Sequence, residues 1–173
     1  MPDRGAIPDV LPPDLADDLR GGTFRPILTH PHPLLSVRCD PSGYLPGHDL
    51  RQLVRDLLAT MYAAGGWGLA APQIGNPVRA LVMDAGWKFG MSAPVAMLDP
   101  EIVARSDDEA EEVETCLSIP GQPVSVSRAR HVQVLWYDLH GVRQMRMLIE
   151  AEARIVQHEI DHLDGRLIVD PRP

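Results

Sequence analysis

Two histidines with three residues between them, in "HEIDH" (158–162), carry the sharpest chemical signal in this chain. On a helix, positions i and i+4 share one face, about one turn apart. Two imidazoles placed so can bind one metal ion, and the glutamate beside them, Glu159, can serve as general base. Ala151, Ile155, His158 and His162 fall on a single helical stripe, which sets the histidines in line with residues suited to a core. The plain alternative is a pair of surface histidines on a polar helix.

Two histidines do not complete a catalytic site, which takes three protein ligands and leaves one position for water. The third ligand is to be sought in a distant Glu, a distant His or a thiolate. Cys116, in "ETCLSIP" between a charged run and a proline turn, is one candidate; its alternative is a small core residue. Cys39 has no comparable context and reads as structural. A further stretch, "GWGLAAPQIG" (66–75), has three glycines and one polar side chain, Gln73. Taken alone it is either a helix cap followed by a tight turn or backbone that something approaches closely.

The elements that must position these residues are legible in outline. Leu50, Leu53, Val54, Leu57, Leu58 and Met61 recur at helical spacing, with Asp49 as N-cap and Gly65–Gly66 as the stop. Short apolar runs at 78–84 and 94–104 read as strands. Residues 131–138 alternate, "LHG" (139–141) reads as a turn, and 142–149 returns antiparallel. Helix follows from 150, stopped by Asp164–Gly165, and "RLIVD" (166–170) is read as a last short strand. The acidic run "SDDEAEEVE" (106–114) is read as a solvated loop. Strands first and one late helix predict an α+β fold: antiparallel sheets packed around a C-terminal helix that carries HEIDH, with an N-terminal amphipathic helix.

The chain has 173 residues, 45% of them hydrophobic, enough for a packed core. Residues 1–22, rich in Pro, Asp and Gly, are expected to be a loosely ordered extension, and 23–173 one catalytic domain. The formal net charge of −8 argues against nucleic acid as the main partner. There is no apolar run of about 18 residues and no signal-like leader, so a cytoplasmic protein without a membrane partner is expected. Two cysteines are too few for a disulfide framework.

"GWGLAAPQIG", "ETCLSIP" and "QHEIDHLDG" occur in the order and rough spacing of the three motifs of the peptide deformylases, which this chain resembles from about Phe24 to Asp170. The resemblance implies that Cys116, His158 and His162 bind one divalent metal, Fe²⁺ in the cell, with Zn²⁺, Ni²⁺ or Co²⁺ as substitutes. It implies that Glu159 handles the proton, and that Gln73 and the backbone N–H of Leu117 hold the developing oxyanion. The implied partner is an N-formylmethionyl peptide or a nascent chain, including one still at the ribosome, from which formate is released. Gly66, Trp67, Gly68 and Leu69 would line the substrate, as would Glu112, Glu114, Thr115 and Ile155. The small residues Gly68, Ala70 and Ala71 would admit the substrate backbone.

Four positions depart from the family's pattern. Thr115 replaces the usual glycine of Glu-Gly-Cys; it is strained if that glycine needs positive φ and narrows the site if the glycine only provides space. Trp67 stands where a small aliphatic is usual and would either roof the pocket or fill part of it. Glu112 falls where some members place an apolar wall of the methionine pocket. Glu150 replaces a common glycine before the metal-binding helix, where an acid suits the helix dipole. Arg128 matches a family arginine and either pairs with Glu114 or stands solvated. Asp161 has no role readable from sequence. The rival readings are a deformylase for another N-formyl compound, a zincin-type peptidase with a ligand downstream of His162, and a non-catalytic paralogue.

Overall fold

A computed structural model describes residues 11–171. Helix α1 spans Gly47–Ala63; strands β1 (Gly68–Ala70), β2 (Ala80–Met83) and β3 (Val95–Arg105) follow. Next come β4 (Glu109–Cys116), β5 (Ile119–Ala129), β6 (His131–Tyr137), β7 (Arg143–Ile149) and helix α2 (Glu150–Leu163). Five strands form an antiparallel sheet in the order β1-β2-β3-β6-β7, and β4 and β5 form a separate hairpin. The α+β architecture with HEIDH on the last helix is as expected from the sequence.

The sheet is covered on both faces. Leu81, Met83, Met97, Val132, Val134 and Leu148 pack with Ala153, Val156, Ile160 and Leu163 of α2. Ala80, Val82, Leu69 and Leu98 pack with Leu53, Val54, Leu57, Leu58 and Met61 of α1. This two-sided burial explains why β2 reads as an unbroken apolar run: Ala80 and Val82 face α1, and Leu81 and Met83 face α2. Each fully buried Leu, Val or Met contributes about 1.5–3 kcal/mol. A third cluster, Leu35, Cys116, Ile119, Val126, Leu167 and Ile168, anchors the β4–β5 hairpin.

Four local expectations are corrected. Helix α1 begins at Gly47 behind Pro46, so Asp49 lies in the first turn instead of capping it. Residues 11–22 are not loose: Leu15 is buried against the α1 cluster, and Arg20 donates to the carbonyls of Leu15 and Pro13. The backbone of Gly22 lies so close to α1 that a Cβ would meet the Arg55 carbonyl oxygen. Residues 1–10 lie outside the described residues. The acidic run is mostly strand β4, because its carboxylates have partners: Ser125 and Ser127 donate across the hairpin to Glu111 and Glu109 at 2.7 and 2.6 Å. Its inward positions, Glu112 and Glu114, pair with arginines. "RLIVD" is a turn; Asp170 accepts from the Leu167 N–H at 2.7 Å, and the adjacent Leu167 and Ile168 are both buried.

Glu150 joins β7 to α2 at φ 47°, a left-handed conformation that favours glycine. The acid's fit to the helix dipole therefore comes with a backbone conformation that a glycine would adopt without strain. The half-exposed pair with Arg130 offsets little. Glu150→Ala loses that pair and keeps the strain, whereas Glu150→Gly loses the pair and removes it. Urea unfolding is expected to find Glu150→Gly more stable than Glu150→Ala by roughly 1 kcal/mol. The reverse order would contradict the left-handed assignment.

Candidate metal centre and active site

Helix α2 presents His158 and His162 on one face, with ring centroids 5.0 Å apart. β4 ends at Cys116, which enters from the opposite side; its Sγ lies 3.3 Å from His162 Nε2. Ligand atoms of Cys116, His158 and His162 all lie within 4.8 Å of one another. Metal–ligand bonds of about 2.0–2.3 Å in a tetrahedral site need donor edges of roughly this kind. One thiol, two imidazoles and no fourth protein ligand suit a divalent transition metal with one open position. Among the described residues, no other His, Cys, Asp or Glu group is so arranged. Asp164 pairs with Arg79 at 2.8 Å and Asp170 closes its own turn, so neither downstream acid is free to serve as a zincin-type ligand.

The charges around the centre favour a cation. Glu114, on the inward face of β4, accepts from His158 Nδ1 at 2.9 Å, which leaves His158 Nε2 for the centre. Arg128 grips both oxygens of the same carboxylate, and Arg154 Nη1 donates to Oε1 at 2.8 Å. Burial alone would raise the Glu114 carboxyl, but the hydrogen bonds from His158 and Arg128 outweigh it and hold it well below the usual carboxylate range. Burial likewise opposes protonation of His158, yet Cys116 and Glu114 lift it to about 10. A metal cation bound among the three would take the place of that proton. His162 is pushed down by burial and by the charges of His158 and Arg128, which keeps it a neutral ligand.

Glu159 is buried beside β1, and its Oε2 and His162 Nδ1 have no protein partner among the described residues. Burial pushes the Glu159 carboxyl up to about 7, against the pull of His158 and Arg128. Gln73 sits on a short 3₁₀ turn, Ala71–Ile74. Its Oε1 accepts from the Ala70 N–H at 2.9 Å, which fixes the amide with its nitrogen toward the centre. Nε2 donates to Ser118 Oγ at 3.1 Å and stands 4.0 Å from Cys116 Sγ.

These groups open into one cavity of about 610 Å³. Of the residues expected at the site, Gly66, Trp67, Gly68, Gln73, Glu112, Glu114, Thr115, Cys116, Leu117, Ile155, His158 and Glu159 line it. His162 stands behind them, 2% exposed. Leu69 is the exception: strand alternation turns its side chain away, into the α1 cluster, fully buried. Ala70 and Ala71 are also core residues, so their small size serves packing and not substrate approach. Gly68 does leave space, but for the enzyme: a Cβ there would lie 2.6 Å from Glu159 Oε1.

Thr115 is not in the left-handed region and carries no backbone strain; it simply adds a side chain to the cavity wall. Trp67 forms a lip rather than a filling. It stacks on Phe89 with centroids 5.7 Å apart, under the Lys88 ammonium at 4.1 Å. Arg128 pairs with Glu114 and reaches Asp161 at 2.9 Å, which gives Asp161 a role in fixing α2. Sequence reasoning missed Ser118 and Arg154. Arg154 was discoverable: it lies four residues before His158 on the same helical face.

Two imidazoles one turn apart on a helix, with a glutamate between them, set this protein among the metallohydrolases that carry HExxH. Similarity to known proteins narrows the class. The polypeptide deformylase family model matches residues 24–172. A peptide deformylase from Roseiflexus castenholzii is 44% identical over 79% of this chain and 80% of its own length. One from Synechocystis is 40% identical over 70% of this chain and 65% of its own. The Met-Ala-Ser-bound class I type b peptide deformylase from Acinetobacter baumannii superposes with a TM-score of 0.78. It is 31% identical, over 86% of this chain and 98% of that one. The chain belongs to the peptide deformylase family, whose members are metal-dependent enzymes.

Gly68→Ala tests the packing against the base. The added methyl must displace Glu159, and kcat for a formyl peptide is expected to fall by about 10²-fold or more, with metal content and thermal midpoint kept. Activity within twofold of the wild type would contradict the placement of Glu159.

Proposed function

We propose that this protein removes the N-formyl group from the N-terminal methionine of nascent polypeptides and releases formate. The observation that carries the reading is the convergence of a three-ligand group, an unpaired buried carboxylate and an oriented amide on one cavity. The Acinetobacter relative holds Met-Ala-Ser, the kind of peptide that deformylation of such a chain end leaves behind. Cys116, His158 and His162 would hold the metal, Fe²⁺ in the cell, with Zn²⁺, Ni²⁺ or Co²⁺ as substitutes. When bound, the ion supplies Lewis acidity, polarising the formyl carbonyl and making water nucleophilic near neutral pH.

The chain's own residues do the rest. Glu159 takes a proton from the attacking water and returns it to the departing amine. A carboxyl raised to about 7 is suited to both transfers. Gln73 Nε2 and the Leu117 backbone N–H donate to the formyl oxygen as negative charge builds there. Each such donor is worth about 3–4 kcal/mol in comparable sites. Trp67 with its Phe89 and Lys88 neighbours borders the cavity mouth and limits how the peptide enters. The working place is the cytoplasm, at the emerging chain; among the described residues no helix is long and apolar enough to cross a membrane.

The direct test is formate release from formyl-Met-Ala-Ser by protein loaded anaerobically with Fe²⁺. Glu159→Ala is expected to lower kcat by about 10²–10⁴-fold while the bound metal stays. No release from the loaded wild type, or release that survives the substitution, would overturn the reading.

A further inference from the structure

Cys116 pairs across the β4–β5 hairpin with Ile119, so Leu117 and Ser118 are the residues of its turn. Cys116, the Leu117 N–H and the Ser118 hydroxyl therefore follow one another directly along the chain. That hydroxyl is fully buried, and Ser118 does not line the cavity. It accepts an N–H of the Gln73 amide at 3.1 Å. The Ala70 N–H can only donate, so the amide atom it meets at 2.9 Å is Oε1, and Nε2 is the atom turned to Ser118. The other N–H of Nε2 is left for the cavity, on the side where Cys116 Sγ stands 4.0 Å away. The backbone is tied in the same sense. The Leu28 N–H donates to the Gln73 carbonyl at 2.7 Å, and the His30 N–H to the Ser118 carbonyl at 2.8 Å. One short segment thus sets the turn that carries the amide against the turn of the hairpin.

We propose that Ser118 is a positioning residue for the reaction: its hydroxyl fixes the Gln73 amide so that the free N–H and the Leu117 N–H converge on one formyl oxygen. This rests on the formyl-peptide reading above. An amide held only at Oε1 can still tilt about that single bond, whereas a second bond at Nε2 fixes its plane. Donors set in place before charge develops stabilise it without having to reorganise. With the hydroxyl gone, one N–H of Nε2 is left unpaired in a buried wall. The amide then turns to find another acceptor, and the N–H aimed at the substrate moves with it. Ser118 itself lies outside the cavity, so peptide binding does not depend on it. The loss falls on the transition state, where the oxyanion forms.

The test is a double-mutant cycle on formyl-Met-Ala-Ser with Fe²⁺-loaded wild type, Ser118→Ala, Gln73→Ala and the double variant. Thermal melts and metal content check folding and loading. Ser118→Ala is expected to lower kcat about tenfold, with KM and the calorimetric affinity for the product Met-Ala-Ser kept within about twofold. In the Gln73→Ala background the same substitution should cost less than about twofold, because no amide remains to be positioned. An equal loss in both backgrounds, or a kcat that Ser118→Ala leaves unchanged, would overturn the proposal. A second readout does not use turnover. In ¹⁵N-labelled, Zn²⁺-loaded protein the Gln73 side-chain amide signals are assigned by their loss in Gln73→Ala, and Ser118→Ala is expected to shift and broaden them. If no formyl peptide is cleaved, the deformylase reading fails by itself. Gln73 signals that move in Ser118→Ala would still uphold the brace, and signals that stay in place would sink it.

Discussion

One buried carboxylate, Glu114, holds the active site together. Its two oxygens receive the Arg128 fork, Arg154 and His158, and so tie β4 to β5 and to α2 at one point. The β4–β5 hairpin shares no ladder with the five-stranded sheet. Besides the apolar cluster under it, these ionic contacts are what set Cys116 opposite His158 and His162. Arg128 continues to Asp161, so α2 is fastened at three positions, Arg154, His158 and Asp161. A charge buried this deeply is tolerated because each partner is also hydrogen-bonded, and losing one partner leaves the others uncompensated, at about 3–5 kcal/mol.

The catalytic groups are held by what surrounds them rather than by contacts with one another. Gln73 is oriented by the Ala70 N–H, a backbone group at the end of β1. Glu159 fits against the same strand because Gly68 has no side chain. Strand β1 thus sets both the amide and the base through its backbone, while its one large side chain, Leu69, goes to the α1 core. A three-residue strand suffices because β2, buried on both faces, fixes its register.

The chemistry was legible in the sequence wherever spacing alone determines geometry. HEIDH on a helix, the apolar stripe of α1 and the β6–β7 hairpin follow from periodicity, and all are found. The third ligand was not decided by spacing; resemblance to the deformylase motifs pointed to Cys116. Strand β4 was hidden because its inward positions carry carboxylates, and only the tertiary placement of Arg128 and Arg154 makes acids tolerable there. Leu69 was misplaced because the direction of a side chain in a short strand depends on which face the neighbouring helices cover. Residues 11–22 look like a tail because Leu11, Leu15 and Leu19 are set among Pro and Asp, although α1 provides their contacts. Glu150 reads as an ordinary helix-start acid until its backbone conformation is seen.

The most direct test of this account is the metal affinity of Glu114→Ala, which leaves all three ligands and Glu159 in the sequence. Metal content would be measured after dialysis against graded chelator, beside the wild type. If Glu114 holds the centre together, the variant stays folded and binds its ion about 10–100-fold more weakly. A folded Glu114→Ala protein that keeps one ion at wild-type affinity would contradict the account, and the site would then depend on the ligands and the apolar packing alone.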